Sequence, residues 1–244
     1  MENFFITEYF DWSLAARSPR VRLLNNVLGK LGYGARLRGP QHTGLMTNTE
    51  QRINMYHLLS QVLVYDVPGE VVELGCNEGQ SSVLMRKVLD EFAPERHLHV
   101  YDSFQGLPEA RQKDGTIPFG PQDLKASRDI LIDNFKQYGL RFPEIHAGWF
   151  HETLPSELPD QICFAYLDGD LYASILISLQ YVYPRMMKGG ICLIDDYADP
   201  AIHHGWNLLP GVKRACDEYL ADKPERVTLL YAGDYSHGFF RKLH

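Results

Sequence analysis

Four apolar runs of strand length in this chain each carry an acid at or near their carboxyl end. "EVVEL" holds Glu73 one residue before its end, "HLHVYD" closes on Asp102, "ICFAYLD" on Asp168 and "GGICLIDD" on Asp195 and Asp196. Segments of helical period lie between them, among them "SSVLMRKVLDEF" and "ASILISLQYVYPRMM". Strands alternating with helices predict an α/β chain built on a mainly parallel, doubly wound sheet. Ligands of such sheets bind outside the carboxyl ends of the strands. The acids therefore crowd one rim, where a site is expected.

The remaining elements fit that frame. "TNTEQRINMYHLLSQVLVYD" opens with Thr47 and Glu50 at capping-box spacing and predicts a helix. "DLKASRDILIDNFKQYG" and "GVKRACDEYLAD" predict two more, and "EIHAGWF" a short strand. "RVTLLYAG" and "SHGFFRKLH" predict a terminal strand pair turning at Asp234. Residues 105–121 hold three glycines and three prolines, and a loop of that length reads as a lid. Residues 1–45 read as an N-terminal arm, and 46–244 as the main domain, with an insertion at 198–210.

Charge and cysteine content exclude several function classes. The net charge is −7 and no basic face runs along the chain, against the expectation for a nucleic-acid binder. Arg17, Arg20, Arg22, Lys30, Arg36 and Arg38 form one basic stretch, read as a solvated surface or an oligomer contact. The four cysteines lack CxxC spacing, so neither a disulfide framework nor a zinc site is expected. No long apolar run predicts a membrane span, and "MENFFITEYF" lacks the pattern of a signal peptide. The expected compartment is the cytoplasm.

"VVELGCNEGQSS" places Gly75 and Gly79 between a strand and a helix. The dinucleotide fingerprint GxGxxG is broken, because Asn77 stands where its second glycine belongs. The turn fits the ExGxxxG form found where S-adenosylmethionine binds, with Ser81 placed to hold the cofactor's carboxylate. Asp102 can accept both ribose hydroxyls, a service a nicotinamide cofactor would also use.

The stretches "VPGEVVELGCNEGQSSVLMRKVL", "YDSFQGLP", "AGWFHETLP", "LDGDLYAS", "YPRMMKGGICLIDDY" and "GVKRACDEY" together resemble the macrocin O-methyltransferase-like family. These are magnesium- and S-adenosylmethionine-dependent sugar O-methyltransferases of antibiotic pathways. The resemblance implies a Rossmann-like class I methyltransferase fold, with a seven-stranded, mainly parallel sheet, a C-terminal antiparallel strand pair and an N-terminal helical appendage. It implies Asp168, Asp195 and Asp196 as Mg²⁺ ligands and Asp170 as general base. It assigns Glu73, Gly75, Ser81, Asp102 and Asp168 to the cofactor, with Ser103, Phe104, Gly148, Trp149 and Phe150 near its adenine and Met46 and Thr47 near its methyl end. The chain departs from the family at Cys76, Asn77 and Glu78, where a Trp and a basic residue are common, and in the inserted "ADPAIHHGWNLLP".

The chemistry asks for such residues. A neutral alcohol is a poor nucleophile, and a hard cation and a nearby carboxylate both ease loss of its proton. Mg²⁺ takes oxygen ligands, which three carboxylates supply. Catechol-type relatives of this fold place a lysine base three residues past the first metal aspartate, where this chain has Leu171. An aspartate base and an alcoholic acceptor follow as the expectation, the acceptor being a hydroxylated small molecule such as a glycoside. Tyr197, Asp199, His203, His204 and Trp206 are candidates to line its pocket, and His151 and His237 fall near the same rim. A homo-oligomer is expected. Three readings compete: an NAD-dependent oxidoreductase, a methyltransferase for phenolic, amino or nucleic-acid acceptors, and a cofactor-binding scaffold without activity.

Overall fold

The computed structural model describes residues 5, 23–24, 27–28, 30–32, 47–202 and 207–244. The chain falls into two compact units, Met1–Thr49 and Glu50–His244. In order, the elements are α1 (Thr49–Val64), β1 (Glu70–Leu74), α2 (Gln80–Phe92), β2 (Leu98–Asp102), α3 (Arg128–Tyr138), β3 (Glu144–Ala147), α4 (Phe150–Glu157) and β4 (Ile162–Leu167). There follow α5 (Tyr172–Val182), β5 (Met186–Asp195), α6 (Pro210–Leu220), β6 (Thr228–Ala232) and β7 (Tyr235–Arg241).

The strands form one seven-stranded sheet in the order β3-β2-β1-β4-β5-β7-β6. Strands β1 to β5 are parallel, and β7 runs antiparallel between β5 and β6. The strand order reverses between β1 and β4, which opens a crevice at their carboxyl ends. The central strands are apolar throughout because both faces are covered. Val72, Leu74, Ala165, Leu167, Cys192 and Ile194 face a core shared with α5 and α6. Met55, Leu59 and Val62 of α1 are fully buried, and α1 also bonds to β7 through Gln61 Oε1, which accepts from Arg241 Nη2 at 2.8 Å. All four cysteines are unpaired and buried. Among the described residues no helix is long and apolar enough to cross a membrane.

Three elements differ from expectation. The strand in "EIHAGWF" stops at Ala147, and Phe150 begins α4, a helix of eight residues too short for its period to show. Glu152 Oε2 accepts from Trp149 N at 3.0 Å and fixes that helix start. The helix "ASILISLQYVYPRMM" ends early. Pro184 disfavours a continuing helix at Tyr183, so α5 closes at Val182 into a 3₁₀ turn over Tyr183–Arg185. Met186 then pairs with Ile162 and starts β5 three residues before Gly189. Helix α3 begins at Arg128 rather than near Asp123, because 121–124 form a turn.

Two glycines separate close approach from mere turning. A Cβ on Gly75 (φ +97°) would stand 1.8 Å from the Asp168 carbonyl oxygen, whereas one on Gly139 (φ +63°) would meet nothing within 4 Å. Gly75→Ala is expected to lose on the order of 4 kcal/mol of stability, and Gly139→Ala about 1 kcal/mol, by urea denaturation. Equal losses would show that no close approach exists at Gly75.

Candidate active site

Strands β1, β2, β4 and β5 end side by side, and the backbone locks their ends together. Gly75 N donates to Tyr101 O at 2.8 Å, and Asp168 N to Leu74 O at 2.8 Å. The glycine turn then runs through left-handed backbone at Asn77 (φ 45°) and Gly79 (φ 77°). Asn tolerates that region better than most residues, and its side chain bolts the turn down. Asn77 Nδ2 donates to Leu124 O at 2.9 Å, and its Oδ1 accepts from Glu78 N at 2.8 Å. The residue that breaks the dinucleotide fingerprint is thus a built part of the turn.

Beneath the turn, Glu73 is fully buried and accepts from the hydroxyls of both Ser81 and Ser82. Burial outweighs those bonds and pushes its carboxyl up to about 7. A serine has one proton to give, and Ser81 gives it to Glu73. In this arrangement the Ser81 hydroxyl helps hold Glu73 beneath the turn. Asp102 keeps capacity to accept: Oδ1 takes Phe104 N at 2.7 Å and Oδ2 takes Asn77 N at 2.9 Å, leaving a lone pair on each oxygen. Burial raises its pKa.

The other cofactor candidates flank this point. Phe104 sits at φ 54° and Ser103 Oγ accepts from Gln105 N at 3.0 Å, a tight turn straight after β2. Gly148 N donates to Asp102 O at 2.9 Å, which brings the half-buried Trp149 and Phe150 beside it. A Cβ on Gly169 would stand 3.3 Å from the Phe150 ring, so that ring covers the loop joining Asp168 to Asp170. Thr47 lies in the first unit, and Met46 outside the described residues.

Next to the turn stand the acids. Ligand oxygens of Asp168, Asp195 and Asp196 all lie within 4.8 Å of one another. Asp195 and Asp196 are buried, while Asp168 and Asp170 are half-buried. Burial and the charges of Asp195, Asp170 and Asp196 push the Asp168 carboxyl well above the usual carboxylate range. Burial, then Asp195 and Asp102, push Asp170 up to about 7. Asp195 Oδ1 accepts from Gln51 Nε2 at 2.8 Å, and His237 Nε2 also stands 2.8 Å away. An acidic cluster this close favours a cation over three bare carboxylates, and the hard oxygen donors suit Mg²⁺. The Tyr166 hydroxyl, buried among these acids without a partner, leaves an unused donor for an oxygen that a bound ion would bring.

The expected acceptor residues are placed less openly. Tyr197 is buried, its hydroxyl donates to Asp217 Oδ1 at 3.1 Å and its ring covers Gly238. Both ends of that side chain are engaged inside the protein. Asp199 Oδ1 accepts from Ala201 N at 3.0 Å, and its other oxygen lies 3.7 Å from Lys213 Nζ, a turn and an ion pair. His203, His204 and Trp206 lie outside the described residues. His151 is exposed on α4.

The loop 105–121 is tethered. Its Asp114 is buried, with Oδ1 accepting from Tyr172 N at 2.6 Å and Oδ2 from Arg111 N at 2.7 Å. Lys113 Nζ donates to Tyr172 Oη and Glu218 at 2.7 and 2.6 Å, tying the loop to α5 and α6. Asp114 and Gln51 are structural partners of the site that sequence reading did not single out.

A sheet of this order, with a glycine turn after β1 and acids after β4 and β5, defines the class I methyltransferase fold. The chain belongs to the family described as Macrocin-O-methyltransferase (TylF), whose pattern matches residues 34–223. It is similar to a demethyldecarbamoylnovobiocin O-methyltransferase of Streptomyces niveus, 30% identical over 80% of this chain and 76% of that protein. It is also similar to an 8-demethyl-8-(2,3-dimethoxy-alpha-L-rhamnosyl)-tetracenomycin-C 4'-O-methyltransferase of Streptomyces olivaceus, 32% identical over 65% of this chain and 64% of that protein. The match thus spans just under two thirds of the latter's length. Among solved structures, that of the O-methyltransferase NovP is similar with a TM-score of 0.66, at 28% identity over 80% of each chain.

Glu73 supplies a pH test of this arrangement. Its folded pKa of about 7 lies above its ordinary 4.5. The stability tied to its proton is therefore full below pH 4.5 and lost as pH rises through 7. Glu73→Gln is expected to gain on the parent over that window by on the order of 3 kcal/mol, read as the difference in thermal midpoint at each pH. A difference that does not change with pH would mean Glu73 is not held in its acid form.

Proposed function

We propose that this chain transfers the methyl group of S-adenosylmethionine to a hydroxyl of a small molecule, a sugar on a glycosylated natural product. In this reading Asp168, Asp195 and Asp196 hold Mg²⁺, Asp170 takes the hydroxyl proton, and 46–244 is the catalytic domain. One observation carries it: three carboxylates whose oxygens lie within 4.8 Å of one another stand beside the turn at Gly75. The glycosylated acceptor is supported by the rhamnosyl group in the name of the Streptomyces olivaceus relative.

The division of labour follows from position. Gly75 lets a cofactor meet bare backbone, and Asp102 offers its two remaining lone pairs to a ribose diol. Bound at the aspartates, Mg²⁺ supplies Lewis acidity that eases an alcohol's loss of its proton. Asp170 sits two residues beyond Asp168, turned out of the strand direction by its left-handed backbone (φ 58°). That placement lets its carboxylate receive the proton at Oδ1 or Oδ2 while Asp168 serves the ion. Phe150, lying over Gly169, keeps an apolar wall against water on that side.

Asp170→Asn retains a residue tolerant of the left-handed region. Its expected result is unchanged binding of S-adenosylhomocysteine and Mg²⁺ by calorimetry, with turnover lower by roughly 10²–10⁴-fold. Turnover close to the parent's would refute the base assignment. A mass-spectrometric screen of glycosides should show a gain of one CH₂ that a chelator abolishes. Methylation that persists in excess chelator would overturn the metal, and a product methylated on nitrogen would overturn the hydroxyl.

A further inference from the structure

The sheet face behind the acids carries polar groups that methyl transfer itself does not use. Tyr166 pairs with Glu73 on one side and Leu193 on the other, and Asp195 pairs with His237. Side chains two apart on a strand share a face, so Tyr166, Asp168, Asp195 and His237 project from the same side. Tyr166 and His237 are both fully buried. Tyr166 Oη has no hydrogen-bond partner. Neither has His237 Nε2, although it stands 2.8 Å from Asp195 Oδ1, so the two atoms are close without being aligned. The two rings meet edge-on with centroids 6.1 Å apart.

The surroundings fix which way the histidine proton faces. Asn54 Nδ2 donates to Tyr231 O at 2.8 Å and lies 3.4 Å from His237 Nδ1. An amide nitrogen only donates, so Nδ1 is the acceptor and the ring proton sits on Nε2, toward Asp195. Tyr166 Oη is a buried donor with no acceptor, which is costly to leave unpaired, and His237 Nε2 meets Asp195 Oδ1 only in poor alignment. The carboxylates acting on Tyr166 are those of Asp195, Asp168 and Asp196, with Glu73, already bonded to Ser81 and Ser82, on the neighbouring strand. What is missing is an oxygen brought from outside the chain, or a carboxylate turned by what it binds.

We propose that Tyr166 and His237 are positioning residues for a hydrated divalent cation held by Asp168, Asp195 and Asp196, their spare protons being kept for the carboxylate and water oxygens that gather around it. The inference rests on the cation reading above and deepens it. Gln51, already bonded to Asp195 Oδ1, completes the layer from α1. Loss of such a hydrogen bond behind a metal ligand typically lowers metal affinity 10–100-fold.

The test is Mn²⁺ binding to the full chain, by calorimetry and by the spin resonance of the free ion, without substrate or turnover. Tyr166→Phe is expected to bind Mn²⁺ roughly 10–100-fold more weakly than the parent, while its metal-free thermal midpoint does not fall, since the variant sheds an unpaired buried hydroxyl. His237→Leu should weaken Mn²⁺ likewise, and His237→Gln, which keeps an N–H, should restore it in part. Parent-like affinity in both Tyr166→Phe and His237→Leu would overturn the proposal while leaving the cation reading intact. A parent chain that binds no Mn²⁺ would overturn the cation reading and this inference with it.

Discussion

The site depends on one contact between backbones. Where β1 leaves the sheet at Gly75, it passes so close to the Asp168 carbonyl that no side chain fits between them. That approach sets the turn over the cofactor crevice directly against the loop that carries the acids. Two hydrogen bonds hold it, from Gly75 N to Tyr101 O and from Asp168 N to Leu74 O, so three strand ends are fixed by one junction. The distance between the glycine turn and the acidic centre is thereby set by the sheet.

Around that junction the chain accepts left-handed backbone at four residues other than glycine. Asn77, Phe104, Asp170 and Asp196 all have positive φ, and each comes within three residues of a strand's carboxyl end. Asn and Asp enter the left-handed region at modest cost, whereas Phe104 has no such excuse. Its amide donates to Asp102 Oδ1, a charge-assisted bond that offsets strain of on the order of 1–2 kcal/mol. The electrostatics point the same way. Burial and the neighbouring acids push the carboxyls of Asp168 and Asp170 up, a tension that a divalent cation would relieve.

Sequence patterns reveal what obeys a period or a spacing. The strands were legible because buried parallel strands are apolar throughout, and the acids at their ends because burial makes an acid conspicuous there. The three aspartates could be placed together from topology alone, since β4 and β5 are neighbours. Less regular features escaped. Helix α4 is eight residues with Pro155 inside it, too short to show a period. Asn77 reads as a missing glycine until its φ of 45° shows that it performs a glycine's role with an added side chain. Gln51 bonds an acid 144 positions away, and no local signal marks such a partner. Tyr197 closes "DDY" and invites a substrate role, yet the left-handed backbone of Asp196 (φ 55°) ends the strand's alternation and turns Tyr197 into the core with Val212 and Cys216.

The long loop 105–121 is tied to the helices beside the acids. Asp114 lends a carboxylate to the amide of Tyr172, the first residue of α5, which a helix N-terminus favours through its unpaired N–H groups and dipole. That amide lies two residues beyond Asp170. One buried acid in the long loop therefore fixes both the loop and the start of the helix from which Asp170 is presented. Gly211, at the start of α6, gives Asp114 room, since a Cβ there would stand 2.6 Å from its Oδ1. Loop, helix and the turn that carries Asp170 thus share one anchor.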